Sequence, residues 1–246
     1  MARGIRLDQA LVQRGLFPSR QQAQTAIMAG EVKVNGRVAA KPSDFVQDET
    51  EISVTPRSRY VGRGGIKLEG ALKHFGISCG GKVALDIGAS TGGFTDCLLQ
   101  NGTQKVFAVD VGHGQLAWKI RNDPRVVVLE KINARHLSRK EIPEPIDISV
   151  IDVSFISLTL ILPNAFQLLT PDGVILALVK PQFELAREDV GRGGIVRSTE
   201  LHEKAQQKVA GFAEAMGARV GGLFPSSIAG TDGNQEFFIC LRKPSA

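Results

Sequence analysis

The stretch Val83-Ala84-Leu85-Asp86-Ile87-Gly88-Ala89-Ser90-Thr91-Gly92-Gly93-Phe94 decides the fold of this 246-residue chain. Its first five residues, apolar apart from Asp86, read as a buried strand that runs into a glycine-rich turn. The segment from Phe94 to Gln100 then reads as a helix. Such a strand-turn-helix lets a ligand approach the backbone and offers it the free N–H groups of the helix start. The spacing is not that of a dinucleotide site, because Ser90 stands where the middle glycine of Gly-x-Gly-x-x-Gly would be. An acid two positions before the first glycine, here Asp86, is instead characteristic of S-adenosylmethionine sites. Asp86, Gly88, Ala89, Ser90, Gly92, Gly93 and Phe94 are therefore candidate cofactor contacts, with a ligand-free βα turn as the competing reading.

Downstream, short apolar runs recur at Val106–Val109, Val126–Leu129, Ile146–Ile151 and Val174–Val179. Helix-length segments, such as 158–169, separate them. This alternation predicts an α/β fold: a Rossmann-like, mostly parallel sheet with helices on both faces. Asp110 ends the second strand about 20 residues past the glycine turn, where such folds set a carboxylate against ribose hydroxyls. Asn133, in the loop after the third strand, is expected at the edge of an adenine and reads equally as a turn residue. The tail departs from the pattern, with a helix over 201–216 and two late strands, Val220–Leu223 and Glu236–Leu241.

Upstream, residues 6–38 read as helix, helix and hairpin, a small α+β unit. Leu7, Ala10 and Leu11 form the first apolar stripe, Ser19 is a good cap for the second helix, and Asn35-Gly36 is a strong hairpin turn. Residues 1–65 hold ten Lys and Arg against six Asp and Glu, and the remaining 181 hold twenty against nineteen, so most of the net charge of +5 lies in front. A polyanion is one explanation and a soluble basic surface the other. The boundaries expected are a front domain over 1–56, a basic, glycine-rich linker over 57–65, and an α/β domain over 66–246.

Asp152 ends the fourth strand and Lys180 the fifth, so both belong to the cofactor edge of the sheet. Burial penalises a lysine's charge and favours the neutral amine that a general base needs. On the residues alone, Lys67 and Glu236 read as a surface salt bridge sooner than as members of a polar cluster with Asp152 and Lys180. Taken in order, however, Lys67, Asp152, Lys180 and Glu236 resemble the Lys-Asp-Lys-Glu tetrad of FtsJ-like ribose 2′-O-methyltransferases. The front segment, from Arg6-Leu7-Asp8 through Ser19-Arg20 to Val34-Asn35-Gly36, is similar to the small RNA-binding domain of the ribosomal-protein-S-four type. Together with Gly88–Thr95, Asp110–Leu116 and Asp152–Ser157, the chain resembles the TlyA/hemolysin A family over nearly its whole length.

That resemblance implies S-adenosylmethionine-dependent 2′-O-methylation of cytidine in ribosomal RNA, within ribosomal subunits or ribosomes. It implies no metal, a base at Lys180 oriented by Asp152, and positioning roles for Lys67 and Glu236. The longer members carry an extra C-terminal helix, and this chain stops at Ala246, so large-subunit RNA is the expected substrate, with small-subunit RNA as a further candidate. Arg6, Arg20, Lys33, Arg57, Arg59 and Arg63 are the expected contacts to RNA phosphates. Other chemistries fit less well. Carbon-five methylation of cytosine needs a cysteine nucleophile, and Cys79, Cys97 and Cys240 lie far in sequence from Asp152 and Lys180. Methylation of a base amine goes with an Asp/Asn-Pro-Pro-aromatic turn, which Asp152-Val153-Ser154-Phe155 lacks. Sparse, unpatterned cysteines and the lack of a signal sequence point to the cytoplasm. Apolar runs far shorter than about 20 residues point away from a membrane span. Two alternatives remain: a membrane-active hemolysin, drawing on the mild amphipathicity of 201–216, and a non-catalytic ribosome assembly factor.

Overall fold

Period-two burial along the downstream strands is what makes a two-faced sheet of them. Ala84, Val106, Ile148, Val150 and Leu176 enter one apolar cluster, while Leu85, Phe107, Ile151, Ile175 and Ala177 enter the other, as expected when successive side chains alternate between faces. The computed structural model describes residues 4–28, 30–54, 59–230 and 232–244. It divides into two units, Met1–Ser58 and Arg59–Ala246.

The front unit runs β1 (Ile5–Arg6), α1 (Leu7–Gln13), α2 (Arg20–Met28), β2 (Val32–Val34), β3 (Arg37–Val38), β4 (Phe45–Val46) and β5 (Ile52–Val54). β2 and β3 pair antiparallel around Asn35 and Gly36, whose φ angles are 49° and 77°, the positive-φ pair that a two-residue hairpin turn demands. Leu7, Leu11, Ala23, Ile27 and Val32 close the core. The Ser19 hydroxyl accepts from the Gln22 N–H and caps α2. Asp8 is fully buried and accepts from Arg6, Arg20 and Gln24. The Arg6 hydrogen bond, chief among these contacts, holds its carboxyl well below the usual carboxylate range. Charged groups that would be costly to bury alone are thereby satisfied.

The second unit runs α3 (Gly64–His74), β6 (Val83–Ile87), α4 (Gly93–Gln100), β7 (Lys105–Asp110), α5 (Trp118–Arg121), β8 (Val126–Glu130), β9 (Ile146–Ile151), α6 (Leu162–Leu168), β10 (Leu169–Val179), α7 (Pro181–Glu184), α8 (Thr199–Ala215), β11 (Arg219–Pro225) and β12 (Phe237–Arg242). Its seven strands lie in the order β11-β12-β10-β9-β6-β7-β8. β12 is antiparallel to both its neighbours, and the pairs from β10 to β8 are parallel. The strand order reverses at β6, which pairs β7 on one side and β9 on the other. A crevice for a ligand opens at such a reversal, outside the carboxyl ends of the strands.

Two expectations are corrected here. The glycines Gly64 and Gly65, read as part of a 57–65 linker, are the first residues of α3. A Cβ on Gly65 would lie 2.2 Å from Tyr60 Cγ, so glycine here serves close packing rather than flexibility. The single helix expected over 158–169 is a 3₁₀ turn, Leu158–Leu160, followed by α6, and Leu169 already belongs to β10. Pro163 has no N–H to continue a preceding turn and is accommodated in the first turn of α6, so the helix starts afresh at Leu162.

Candidate active site

Parallel strands deliver their C-terminal residues to one edge, and two cavities open there. The larger, about 890 Å³, is lined by Asp110, Asn133, Asp152, Ser154, Phe155 and Phe183 among others. The smaller, about 170 Å³, is lined by Lys67, Asp152, Lys180, Glu236, Arg63 and the loop after β6. Gly88, Ser90 and Asp152 border both, so the two spaces meet along these three residues. Gly88 has φ of 86°, and a Cβ there would lie 2.2 Å from the Asp152 carbonyl oxygen. The close approach of the two loops thus depends on that glycine.

The tetrad residues form two ion pairs around the smaller cavity. Lys180 Nζ lies 2.6 Å from Asp152 Oδ1 and donates to Ser154 Oγ at 2.9 Å. The Asp152 contact is ionic, at an angle that leaves Oδ1 without a proper hydrogen bond among the described residues. Lys67 Nζ donates to Glu236 Oε2 at 2.5 Å, and both side chains are at most a tenth exposed. A surface salt bridge, the plainer sequence reading of Lys67 and Glu236, is therefore not what this pair is.

Around the cofactor candidates, the Asp110 carboxylate accepts from the N–H groups of Ser90 and Gly112, each at 2.7 Å, and lines the larger cavity. Asn133 also lines it, while its side-chain oxygen caps the turn at Arg135. Ala89, Gly93 and Phe94 line the smaller cavity. Gly92, in the left-handed region with φ of 93°, and Asp86 line neither.

Of the RNA candidates, Arg6 and Arg20 converge on Asp8, and Lys33 is exposed on β2. Arg57 lies outside the described residues. Arg59 pairs with Glu69 and lies over the Tyr60 ring, and Arg63 donates to the Ala229 carbonyl beside the smaller cavity.

Asp86 sits beneath the glycine loop, where it receives the Thr95 hydroxyl at 2.6 Å on Oδ2 and leaves Oδ1 without a partner among the described residues. Burial, opposed by that hydrogen bond and reinforced by Asp152 and Asp110, pushes its carboxyl up to about 7. In the unfolded chain it ionises near 4. Folding therefore loses stability as pH rises between those two values, by about 1.4 kcal/mol per pH unit, and no further above the upper one. Asp86→Asn keeps an acceptor for Thr95 and removes the titration. The melting-temperature gap between variant and wild type should widen in the variant's favour from about pH 5 to 7, then hold constant. Parallel melting curves across that range would show that Asp86 carries no such charge penalty.

The sequence missed the groups that complete this edge. Phe155 is 90% exposed with φ of 64°, a rare conformation for a non-glycine residue, and its ring lies 5.1 Å from that of Phe183. Ser154 joins them beside Lys180. A hint was available in Ser154-Phe155, which leave polar and aromatic groups directly after a buried strand.

The FtsJ-like methyltransferase family model matches residues 60–243, and the S4 domain model matches residues 5–52. The 16S/23S rRNA (cytidine-2′-O)-methyltransferase TlyA of Mycobacterium tuberculosis is 47% identical over 244 residues, covering 98% of this chain and 91% of that protein. Hemolysin A of Brachyspira hyodysenteriae is 44% identical over 237 residues, covering 95% and 98%. A solved hemolysin-named chain from Streptococcus thermophilus superimposes with a TM-score of 0.76 at 45% identity, over 100% of this chain and 90% of that one.

Proposed function

The chain belongs to the FtsJ-like methyltransferase family, and from its site we propose how it methylates the 2′-hydroxyl of cytidine in ribosomal RNA. The observation that carries the reading is the Lys180–Asp152 pair, 2.6 Å apart, with Lys180 lining the smaller cavity and Asp152 bordering both. The larger cavity falls in the range that holds cofactor-sized ligands, and its donors and acceptors suit S-adenosylmethionine. Each Asp110 oxygen keeps a lone pair beyond its backbone N–H and can accept from a ribose hydroxyl. Asn133 would hold the adenine and Gly88 would face the methionine part.

When bound, S-adenosylmethionine supplies an electrophilic methyl group. The residues supply the rest. A ribose hydroxyl is a poor nucleophile until its proton is taken; Lys180 takes it as the neutral amine, after releasing to solvent the proton it holds in the ion pair with Asp152. Asp152 then offsets the ammonium that forms, and Ser154 orients the amine through its hydrogen bond. Lys67, held by Glu236, steers the ribose oxygens. The exposed Phe155 face suits an unstacked base, the usual object of specific RNA recognition. Arg6, Arg20 and Lys33 of the front unit anchor RNA phosphates, which fixes register rather than sequence. The place of work is the cytoplasm, on ribosomal subunits or ribosomes.

No helix among the described residues is long and apolar enough to cross a membrane. The amphipathicity of 201–216 is accounted for by Ala205, Val209 and Ala213, which α8 buries.

The direct test is transfer of labelled methyl from S-adenosylmethionine to purified small subunits, large subunits and whole ribosomes, followed by alkaline hydrolysis. A 2′-O-methyl group blocks cleavage at the adjacent phosphodiester, so a resistant site is expected at a cytidine. A methylated but cleavable site would defeat the ribose assignment. Asp110→Ala should weaken cofactor binding by about 1 to 3 kcal/mol, roughly five- to 150-fold in Kd. Calorimetry giving equal affinities would remove Asp110 from the cofactor site.

A further inference from the structure

We propose that Glu184, which lies outside the tetrad, is a positioning residue that locks the two substrate-facing segments together and so sets the Asp152–Lys180 geometry. The inference rests on the functional reading above. One segment, the loop Asp152 to Ser157, follows β9; the other, Lys180 and the short helix α7 (Pro181–Glu184), follows β10. The last partners on the ladder between these strands are Ile151 and Ala177. Beyond them the segments meet on the substrate side through side chains, Lys180 with Asp152 and Ser154, and Phe155 with Phe183.

Behind these contacts lies a buried carboxylate. Glu184 is 3% exposed. It accepts from Ser157 Oγ at 2.5 Å and from the Leu158 N–H at 2.7 Å. Lys208 of α8 lies 3.5 Å from Glu184 Oε2 and donates to the Glu184 carbonyl at 2.5 Å. An apolar side chain could fill this space. A carboxylate is tolerated there because charge-assisted hydrogen bonds satisfy it, and these fix direction as well as distance. It holds both the capping residue Ser157 and the first N–H of the 3₁₀ turn Leu158–Leu160, and so ends the β9 loop at a fixed point.

A second observation independently calls for such an anchor. Phe155 holds a φ of 64° in the middle of that loop. A strained backbone of this kind persists only when its surroundings over-determine it. Asp152 fixes the near end, its N–H donating to the Ile87 carbonyl. Glu184 fixes the far end through Ser157 and Leu158. With the far end free, Phe155 and Ser154 relax and Lys180 loses a partner. A misplacement of about 1 Å at a reacting group can cost 10²-fold in rate.

The test uses the full chain with Glu184→Gln, Glu184→Leu, Ser157→Ala and the Glu184→Gln/Ser157→Ala pair. Cofactor affinity and the apparent KM for RNA should change by less than about threefold. The expected kcat falls are about tenfold in Glu184→Gln and Ser157→Ala, more in Glu184→Leu, and no more in the pair than in either single variant. Amide hydrogen exchange should quicken over residues 153–158 while β6 and α4 stay at wild-type rates. That readout needs no activity, so a wild-type protein without methyl transfer would sink the functional reading and leave the clamp decided by exchange. Folded Glu184 variants with wild-type kcat and wild-type loop exchange would overturn the proposal. So would a rate loss matched by faster exchange throughout the sheet, or strictly additive effects in the pair.

Discussion

Lys180→Arg is expected to bind S-adenosylmethionine and ribosomal RNA close to wild-type affinity and to transfer methyl at least about 10²-fold more slowly. An arginine retains the positive charge and can still reach Asp152, but its guanidinium holds its proton at any usable pH. A lysine that only attracted the ribose electrostatically would be replaced by arginine at modest cost. Lys180→Ala removes charge and base together and serves as the floor. It also leaves Asp152 without its cation beside Ser154, where Lys180 is only 11% exposed. The alanine variant should therefore lose some stability that the arginine variant keeps. Single-turnover transfer with saturating cofactor, read beside calorimetric binding, separates the cases. An arginine variant within a few-fold of wild type would show that Lys180 positions the ribose and that another group takes the proton.

How much of this was legible in the sequence follows from the kind of contact involved. The glycine loop, Asp110, Asp152 and Lys180 were readable because a parallel sheet carries the ends of its strands to one edge, whatever the details of packing. The strand order confirms that geometry, with β6 and β9 adjacent and Gly88 against the Asp152 carbonyl. The helix α3 was not readable as such. Gly64, Gly65 and Gly70 lower its intrinsic helix propensity, and what holds it is tertiary: Leu68, Ala71 and Leu72 join the apolar cluster that also takes Tyr60 and Phe94. The linker reading failed for that reason, because glycines that serve flexibility and glycines that serve close packing look alike in one dimension. Ser154, Phe155 and Glu184 were missed because their roles exist only across two strands far apart in sequence. The resemblance supplied Lys67 and Glu236, which no local signal marks, and the structure shows why both must be charged together: they share one buried contact.

Breaking that contact from one side should be the most destabilising single change at the site. Lys67→Met leaves Glu236, 4% exposed in its side chain, as an uncompensated buried carboxylate. Removing one partner of a buried pair typically costs about 3 to 5 kcal/mol, on the order of 10 °C in melting temperature for a unit of this size. Glu236→Leu leaves the Lys67 ammonium in the same position and should cost a similar amount. The Lys67→Met/Glu236→Leu double variant removes both charges and offers apolar contacts in their place. Such exchanges are often neutral or stabilising, because neither charge has to be desolvated. The double variant should therefore recover most of the lost stability while its methyl transfer stays down by about 10²-fold or more. That divergence is the point of the experiment. Stability and rate rising together in the double variant would mean the pair is a structural strut. Stability returning without activity would mean the two charges are kept, at an energetic cost to the fold, for what they do to the ribose in the cavity that Lys67, Asp152, Lys180 and Glu236 enclose.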